Sequence, residues 1–458
     1  MGKSIRNDKF CQLREEFPVF TYRDYSYELD VSGLMCSFRF ETGPDHVFCP
    51  SFFIPRKDFF LPDEVIAPGL PSLVFHIGLI ELISYWKAAC PPVVEIIPHG
   101  LTADQQAWWK RVYFHGLGEF FYLNGIDTGI DRFMEIRAAN ESVPLRPARP
   151  VNEGVIIPVG GGKDSVVTLE TLGKHTDSLP LVMNPVKASL DCIRRSGCRE
   201  GGYLEIRRTL DSHLLELNSL GFLNGHTPFS ALLAFYTALA SHITGRRYIA
   251  LSNESSANEP TIPGTLINHQ FSKSFAFETD FRDYVKRYLS SDTEYFSFLR
   301  PLHEIQIARL FSGYLQYHDI FRSCNAGSKT NSWCGKCSKC LFAWIILSPF
   351  LSEEKMIMIF GKDLYNDPDL TLYFDQLTGL ASEKPFDCVG TVDEVNAAVW
   401  EVIRQRAGRP LPLLLQRYLQ HSPVEPAAGG FALMQDSFDP HHHVPASFLK
   451  LLKDALYA

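Results

Sequence analysis

Long apolar runs are scarce in this 458-residue chain. The most apolar, residues 341–351, is too short to span a bilayer and is broken by Ser348 and Pro349. Residues 1–10 are mildly basic, but no apolar core follows them, so no secretory leader is expected. A cytoplasmic protein with no membrane partner is the resulting expectation. Excess positive charge is also missing. Lys and Arg number 44 against 52 Asp and Glu, a net charge of −8. A phosphate backbone demands clustered cations, so no nucleic-acid partner is expected. Paired cysteines are lacking too: eleven, an odd number, are spread along the chain, which excludes a disulfide framework. Seven of them (Cys11, Cys36, Cys49, Cys90, Cys192, Cys198, Cys388) show no ligand-like grouping and are read as buried small residues. There is no internal repeat and no low-complexity tract.

What is present suits a large globular protein. Hydrophobic residues make up 45% of the chain, ample for a core, and the length suggests two or three domains. Residues 17–60 alternate apolar and polar around turn residues and read as antiparallel strands. Residues 71–89 and 104–123 read as helices with aromatic faces. A stretch rich in Pro, Arg and Asn, residues 140–152, reads as a linker. From 154 to about 321 short apolar runs (179–186, 248–252) alternate with helical stretches (203–220, 229–243). That alternation predicts an α/β domain with a doubly wound parallel sheet and ligands at the carboxyl ends of its strands. The expected organisation is an N-terminal substrate-recognition or lid region (1–150), a nucleotide domain (151–322), a cysteine knuckle (323–345) and a helical C-terminal region (346–458). His441, His442 and His443 read as a surface loop.

The most telling segment follows the apolar run 155–159: Gly160, Gly161, Gly162, Lys163, Asp164 and Ser165, opening a helix. Strand, glycine turn and helix start make an anion site, because backbone N–H groups converge there and the helix dipole adds positive charge. Glycines admit a phosphate close to the backbone. Asp164 suits a magnesium ion, and Lys163 and Ser165 suit phosphate oxygens. The kinase and GTPase loop is excluded, since its first glycine would fall on Ile157. The segment resembles the S-G-G-x-D-S loop of N-type (PP-loop) ATP pyrophosphatases, with Gly160 in place of the first serine. That resemblance implies ATP cleaved between its α- and β-phosphates.

Cys324, Cys334, Cys337 and Cys340 stand in a C-x9-C-x2-C-x2-C pattern. Four thiolates fill a tetrahedral zinc site and leave no open position, which implies a structural ion. An iron–sulfur cluster and four ordinary cysteines are the alternatives. The 7-cyano-7-deazaguanine synthases are similar in the phosphate loop and in this knuckle.

A third polar segment follows the run 248–251: residues 252–259, then 267–275. Asn253, Glu254, Asn268, His269, Ser272 and Lys273 lie in it and suit metal, substrate or a proton in transfer; a solvated loop is the plainer reading. These stretches, with 83–88, 116–120, 159–165, 225–228, 333–340 and 385–390, resemble the MurL-type UDP-N-acetyl-α-D-muramoyl-L-alanyl-L-glutamate epimerases over nearly the whole chain. The resemblance implies inversion of the glutamate α-carbon of UDP-MurNAc-L-Ala-L-Glu, with ATP and magnesium, through an acyl-adenylate. Adenylation removes the carboxylate charge that would oppose an enolate. Two acid–base groups are then needed, and position makes His269, Lys273, Glu254 and His226 the candidates. The alternative is adenylation of another small carboxylate for amide or nitrile formation.

Overall fold

The computed structural model describes residues 2–141, 150–290, 292–421 and 430–457. The greater part of the expected 140–152 linker therefore lies outside the described residues. The strands are β1 (Val19–Leu29), β2 (Gly33–Thr42), β3 (His46–Phe48), β4 (Ser51–Pro55), β5 (Val93–Ile96), β6 (Glu135–Ala138), β7 (Asn152–Pro158), β8 (Ser178–Met183), β9 (Leu204–Thr209), β10 (Arg246–Leu251) and β11 (Glu294–Ser297). The chain divides into two compact units. The first comprises Met1–Ile156, Leu204–Ile249 and Leu266–Glu294; the second comprises Ile157–Tyr203, Ala250–Thr265 and Tyr295–Ala458.

In the first unit, β1 and β2 form a long antiparallel hairpin. Its turn is held by the Asp30 carboxylate, which accepts from the amides of Ser32 (2.7 Å) and Gly33 (3.2 Å). Gly33 has φ +148°, and a Cβ there would meet the Ile54 carbonyl at 2.1 Å. Along β2, Leu34, Cys36, Phe38 and Phe40 are buried, alternating with more exposed neighbours, as expected of a half-buried strand. The strand order in this unit is β9-β4-β2-β1-β5-β6, with β3 on β2. β1/β2, β2/β4 and β4/β9 are antiparallel, while β1/β5 and β5/β6 are parallel. β10 and β7 also pair in parallel, through Tyr248↔Val155 and Ile249↔Ile156. The sheet is thus mixed, which corrects the expectation of a purely parallel one. Tight turns join β1 to β2 and force antiparallel pairing, whereas the parallel pairs are separated by long helical connections.

Two further expectations change. Residues 203–220, expected as one helix, are strand β9 followed by the helix Ser212–Ser219. Leu204 and Ile206 are buried between more exposed residues, a period of two, and Asp211 caps the helix by accepting from the His213 amide (2.9 Å). The segment Asp63–Trp86 is long and apolar enough to cross a membrane by length and composition, yet 83% of its most apolar window is buried inside the protein. Its one acidic group within that core, Glu81, receives a two-pronged bond from Arg208 (2.5 and 2.6 Å) and one from the Tyr236 hydroxyl (2.9 Å). A buried carboxylate is tolerated only with such partners.

His76 lies on the same helix, fully buried. Its Nδ1 donates to the Ser72 carbonyl (2.7 Å), and its Nε2 has no partner. Burial pushes its pKa down to about 4. The unfolded imidazole takes a proton below pH 6.5, but the folded one refuses it until about pH 4. Folding stability from this group is therefore complete above pH 6.5 and is lost as pH falls toward 4, by about 3 kcal/mol. Urea midpoints at pH 7 and pH 4.5 should show a smaller acid loss in His76→Asn than in wild type. Equal losses would remove His76 from the acid sensitivity.

In the second unit the chain leaves β7 into the glycine loop, and the Val159 amide bonds the Leu181 carbonyl of β8 (2.8 Å). The C-terminal part is mostly helical, as expected, with helices Glu353–Phe360, Thr371–Thr378, Val392–Gln405, Leu413–Gln420, Gly430–Asp436 and Ala446–Tyr457. His441 is exposed in a non-helical segment and bonded to Asp439 (3.1 Å). Of the seven cysteines expected to be buried, Cys36, Cys90 and Cys192 are. Cys11 and Cys49 are exposed, and Cys198 and Cys388 are half-buried.

Candidate active site and metal centre

The glycine loop opens the helix Lys163–Thr171 at its N-terminus. Gly161 has φ +90°, and a Cβ there would press on the Ser189 amide at 2.7 Å, so packing requires glycine. A Cβ at Gly160 would meet nothing within 4 Å, so space is open before the loop. The Ser165 hydroxyl donates to the Gly162 carbonyl (3.0 Å) and accepts from the Gly161 amide (3.3 Å), knitting the loop. The Lys163 ammonium is buried between Asp164 (2.5 Å) and Glu304. Burial opposes its charge, but the two carboxylates outweigh that and hold its pKa above the ordinary lysine range. Asp164 keeps about a third of its side chain exposed (32%). Glu304 has no signal in the sequence, being 141 residues from its partner.

The polar segment after β10 begins beside this loop. Ser252 bonds Thr168 of the loop helix (2.9 Å), and Asn253 donates to Ser297 (3.0 Å). Glu254 is buried, and its backbone carbonyl accepts from Arg300 (2.5 Å).

The first unit brings together two predicted residues and one that sequence reasoning assigned no role. His226 and His269 lie with ring centroids 4.4 Å apart and ring planes tilted by 46°, and both turn Nδ1 toward one oxygen of Glu119. That oxygen lies 2.5 Å from His269 Nδ1 and 3.7 Å from His226 Nδ1. Glu119 comes from the short helix Gly118–Leu123, and His226 from the loop before the helix Phe229–Thr244. Burial, then the charges of His269 and Lys87, push His226 down to about 3, so it is neutral at any working pH. Lys273 ends the short 3-10 turn Phe271–Lys273 in this unit, half-buried. Glu254 belongs to the second unit. The three clustered side chains each offer one ligand atom within 4.8 Å of the others, a set that could hold a metal ion. The positive charge of Lys87 acting on the same imidazole works against a dication there.

In the second unit the four knuckle cysteines converge. Their sulfurs lie 3.8 Å (Cys324–Cys337), 3.7 Å (Cys334–Cys340) and 3.5 Å (Cys337–Cys340) apart. All four fall within 4.8 Å of one another. A tetrahedral zinc with Zn–S near 2.3 Å needs sulfur separations of about 3.8 Å. The set therefore fits a single tetrahedral ion.

These features define a mixed α/β protein with a carboxylate–imidazole cluster in one unit and a four-thiolate knuckle in the other. Residues 12–298 match the MurL N-terminal domain and residues 320–428 the MurL C-terminal domain, and the chain belongs to the MurL family. The UDP-N-acetyl-alpha-D-muramoyl-L-alanyl-L-glutamate epimerase of Xanthomonas oryzae pv. oryzae (strain MAFF 311018) is 34% identical over 419 residues, covering 89% of this chain and 90% of that protein. The protein of the same name from Micromonospora sp. (strain ATCC 39149 / NRRL 15099 / SCC 1413) is 33% identical over 455 residues, covering 96% and 99%. No solved structure matches the chain.

Proposed function

We propose that this chain inverts the terminal glutamate of UDP-MurNAc-L-Ala-L-Glu, using ATP and magnesium to activate the α-carboxylate as an acyl-adenylate with release of pyrophosphate, and that water then hydrolyses the inverted acyl-adenylate to the free carboxylate and AMP, in cytoplasmic synthesis of a peptidoglycan precursor. The names of its relatives support the substrate. The observation that carries the chemistry is the pair of imidazoles on one carboxylate. Glu119, 2.5 Å from His269 Nδ1, orients that ring for proton transfer, while His226, whose pKa is pushed down to about 3, stays neutral beside it. The two rings are too close to sandwich a carbon, however. A carbon between two acid–base groups, each about 3 Å from it, needs roughly 6 Å between them. The imidazole pair therefore serves one face, and the second face needs another group, for which Lys273, in the same unit, is the candidate. The glycine loop, with Gly160, Gly161, Gly162, Lys163, Asp164 and Ser165, would take the nucleotide phosphates, and Asp164 the magnesium. Cys324, Cys334, Cys337 and Cys340 would hold a structural zinc.

The decisive experiment incubates the protein with UDP-MurNAc-L-Ala-L-Glu, ATP and magnesium in deuterated water. D-Glutamate with deuterium at the α-carbon, and AMP released only with substrate, is the expected result. AMP without inversion would move the reading to adenylation of another carboxylate.

A further inference from the structure

Next to His226 the first unit contains a cavity of about 90 Å³. Ile80, Ile83, Leu214 and Leu232 form much of its wall, and Ser84, Thr227, Lys87 and Arg208 supply the polar part. The two cations differ. Arg208 is neutralised by the two-pronged bond to Glu81. Lys87 is buried, and its ammonium donates to the Gly225 carbonyl (2.5 Å) with no carboxylate within salt-bridge distance among the described residues. The charge of Arg208 acts on it in repulsion, which adds to burial in lowering its pKa to about 8. A buried cation without a counter-ion is costly, and an incoming anion would relieve the cost. Gly225, which holds Lys87, and Thr227, which lines the cavity, flank His226 in the chain.

We infer that this cavity is a carboxylate-binding subsite in which Lys87 pairs with the side-chain carboxylate of the terminal glutamate. The inference rests on the epimerase reading. Apolar walls suit the two side-chain methylenes, and the cation suits the charged end. The choice of carboxylate follows from the reaction. Adenylation neutralises the α-carboxylate, whereas the side-chain carboxylate stays anionic throughout and offers a constant anchor. Seating it beside His226 would place the α-proton near the imidazole pair.

The test is equilibrium binding to the full chain, without ATP, of UDP-MurNAc-L-Ala-L-Glu and of UDP-MurNAc-L-Ala-L-Gln, which is isosteric but uncharged at the terminal side chain. Wild type is expected to favour the glutamate ligand by at least about thirtyfold, and Lys87→Met to bind both alike. Should Lys87→Met fail to fold, wild type alone still decides through pH. Pairing raises the Lys87 pKa, so binding of the glutamate ligand takes up a proton and weakens as pH rises above 8, while binding of the glutamine ligand does not change. Equal binding of both ligands by wild type, or a preference that survives in Lys87→Met, would overturn the subsite alone. Binding of neither would overturn the epimerase reading and the subsite with it.

Discussion

His269→Ala is expected to lower the rate of epimerisation by about 10²–10⁴-fold, the usual contribution of a positioned acid–base group. The loss should appear in α-deuterium exchange as much as in inversion, because both require the proton to leave carbon. Glu119→Gln should give a smaller loss of the same kind. It removes the carboxylate 2.5 Å from His269 Nδ1 but leaves the imidazole itself. If the carboxylate acts only through that ring, the double variant should be no slower than His269→Ala, since groups acting as a unit are not additive. Multiplying losses would instead give Glu119 an independent role. His226 adds a pH signature. Its pKa of about 3 means that its protonation does not limit the rate near neutrality. An acid limb of kcat/KM at pH 6–7 should therefore survive in His226→Asn. Its disappearance would show that His226 titrates in the working enzyme and would end the reading of it as a permanently neutral neighbour of His269.

The parts of this site that were legible in the sequence are the local ones. Gly160 to Ser165 announce a glycine turn because the strand, the turn and the helix start are contiguous. The knuckle is legible because three of its cysteines fall within seven residues. Glu119 was not legible as a site residue. It meets His269 across 150 residues, and nothing within the short helix Gly118–Leu123 sets its carboxylate apart from a surface one. The same holds for Glu304, whose buried carboxylate meets the Lys163 ammonium across 141 residues. Strand β9 was misread because its Leu204-Glu205-Ile206-Arg207 alternation is short and runs into a genuine helix. Pairing with β4, which settles the matter, is not a property of the segment itself.

Cys337→Ser, which takes one thiolate from the proposed zinc site, is expected to have the largest effect on stability. One ion per chain is expected by elemental analysis, in a colourless protein, and Cys337→Ser should lose it. The sulfur positions argue for a single ion: separations of 3.5–3.8 Å place the thiolates around one centre. In a four-iron cluster each cysteine binds a different iron, which would hold the sulfurs farther apart. The surroundings favour thiolates as well. The Gly327 amide donates to Cys324 Sγ (3.2 Å) and the Lys336 amide to Cys334 Sγ (3.4 Å). Cys337 sits at the N-terminus of the helix Ser338–Leu347, where the helix dipole stabilises negative charge. That helix is the structural stake: Cys340, Leu341, Ile345, Ile346 and Leu347 are all fully buried. Structural zinc contributes about 10–16 kcal/mol in small folded modules. Even a fraction of that, lost from one unit, would lower the melting temperature by on the order of 10 °C or more. Chelation should reproduce the drop in wild type and leave Cys337→Ser unchanged. A wild type purified without metal, melting where Cys337→Ser melts, would reduce the four cysteines to ordinary core and surface residues.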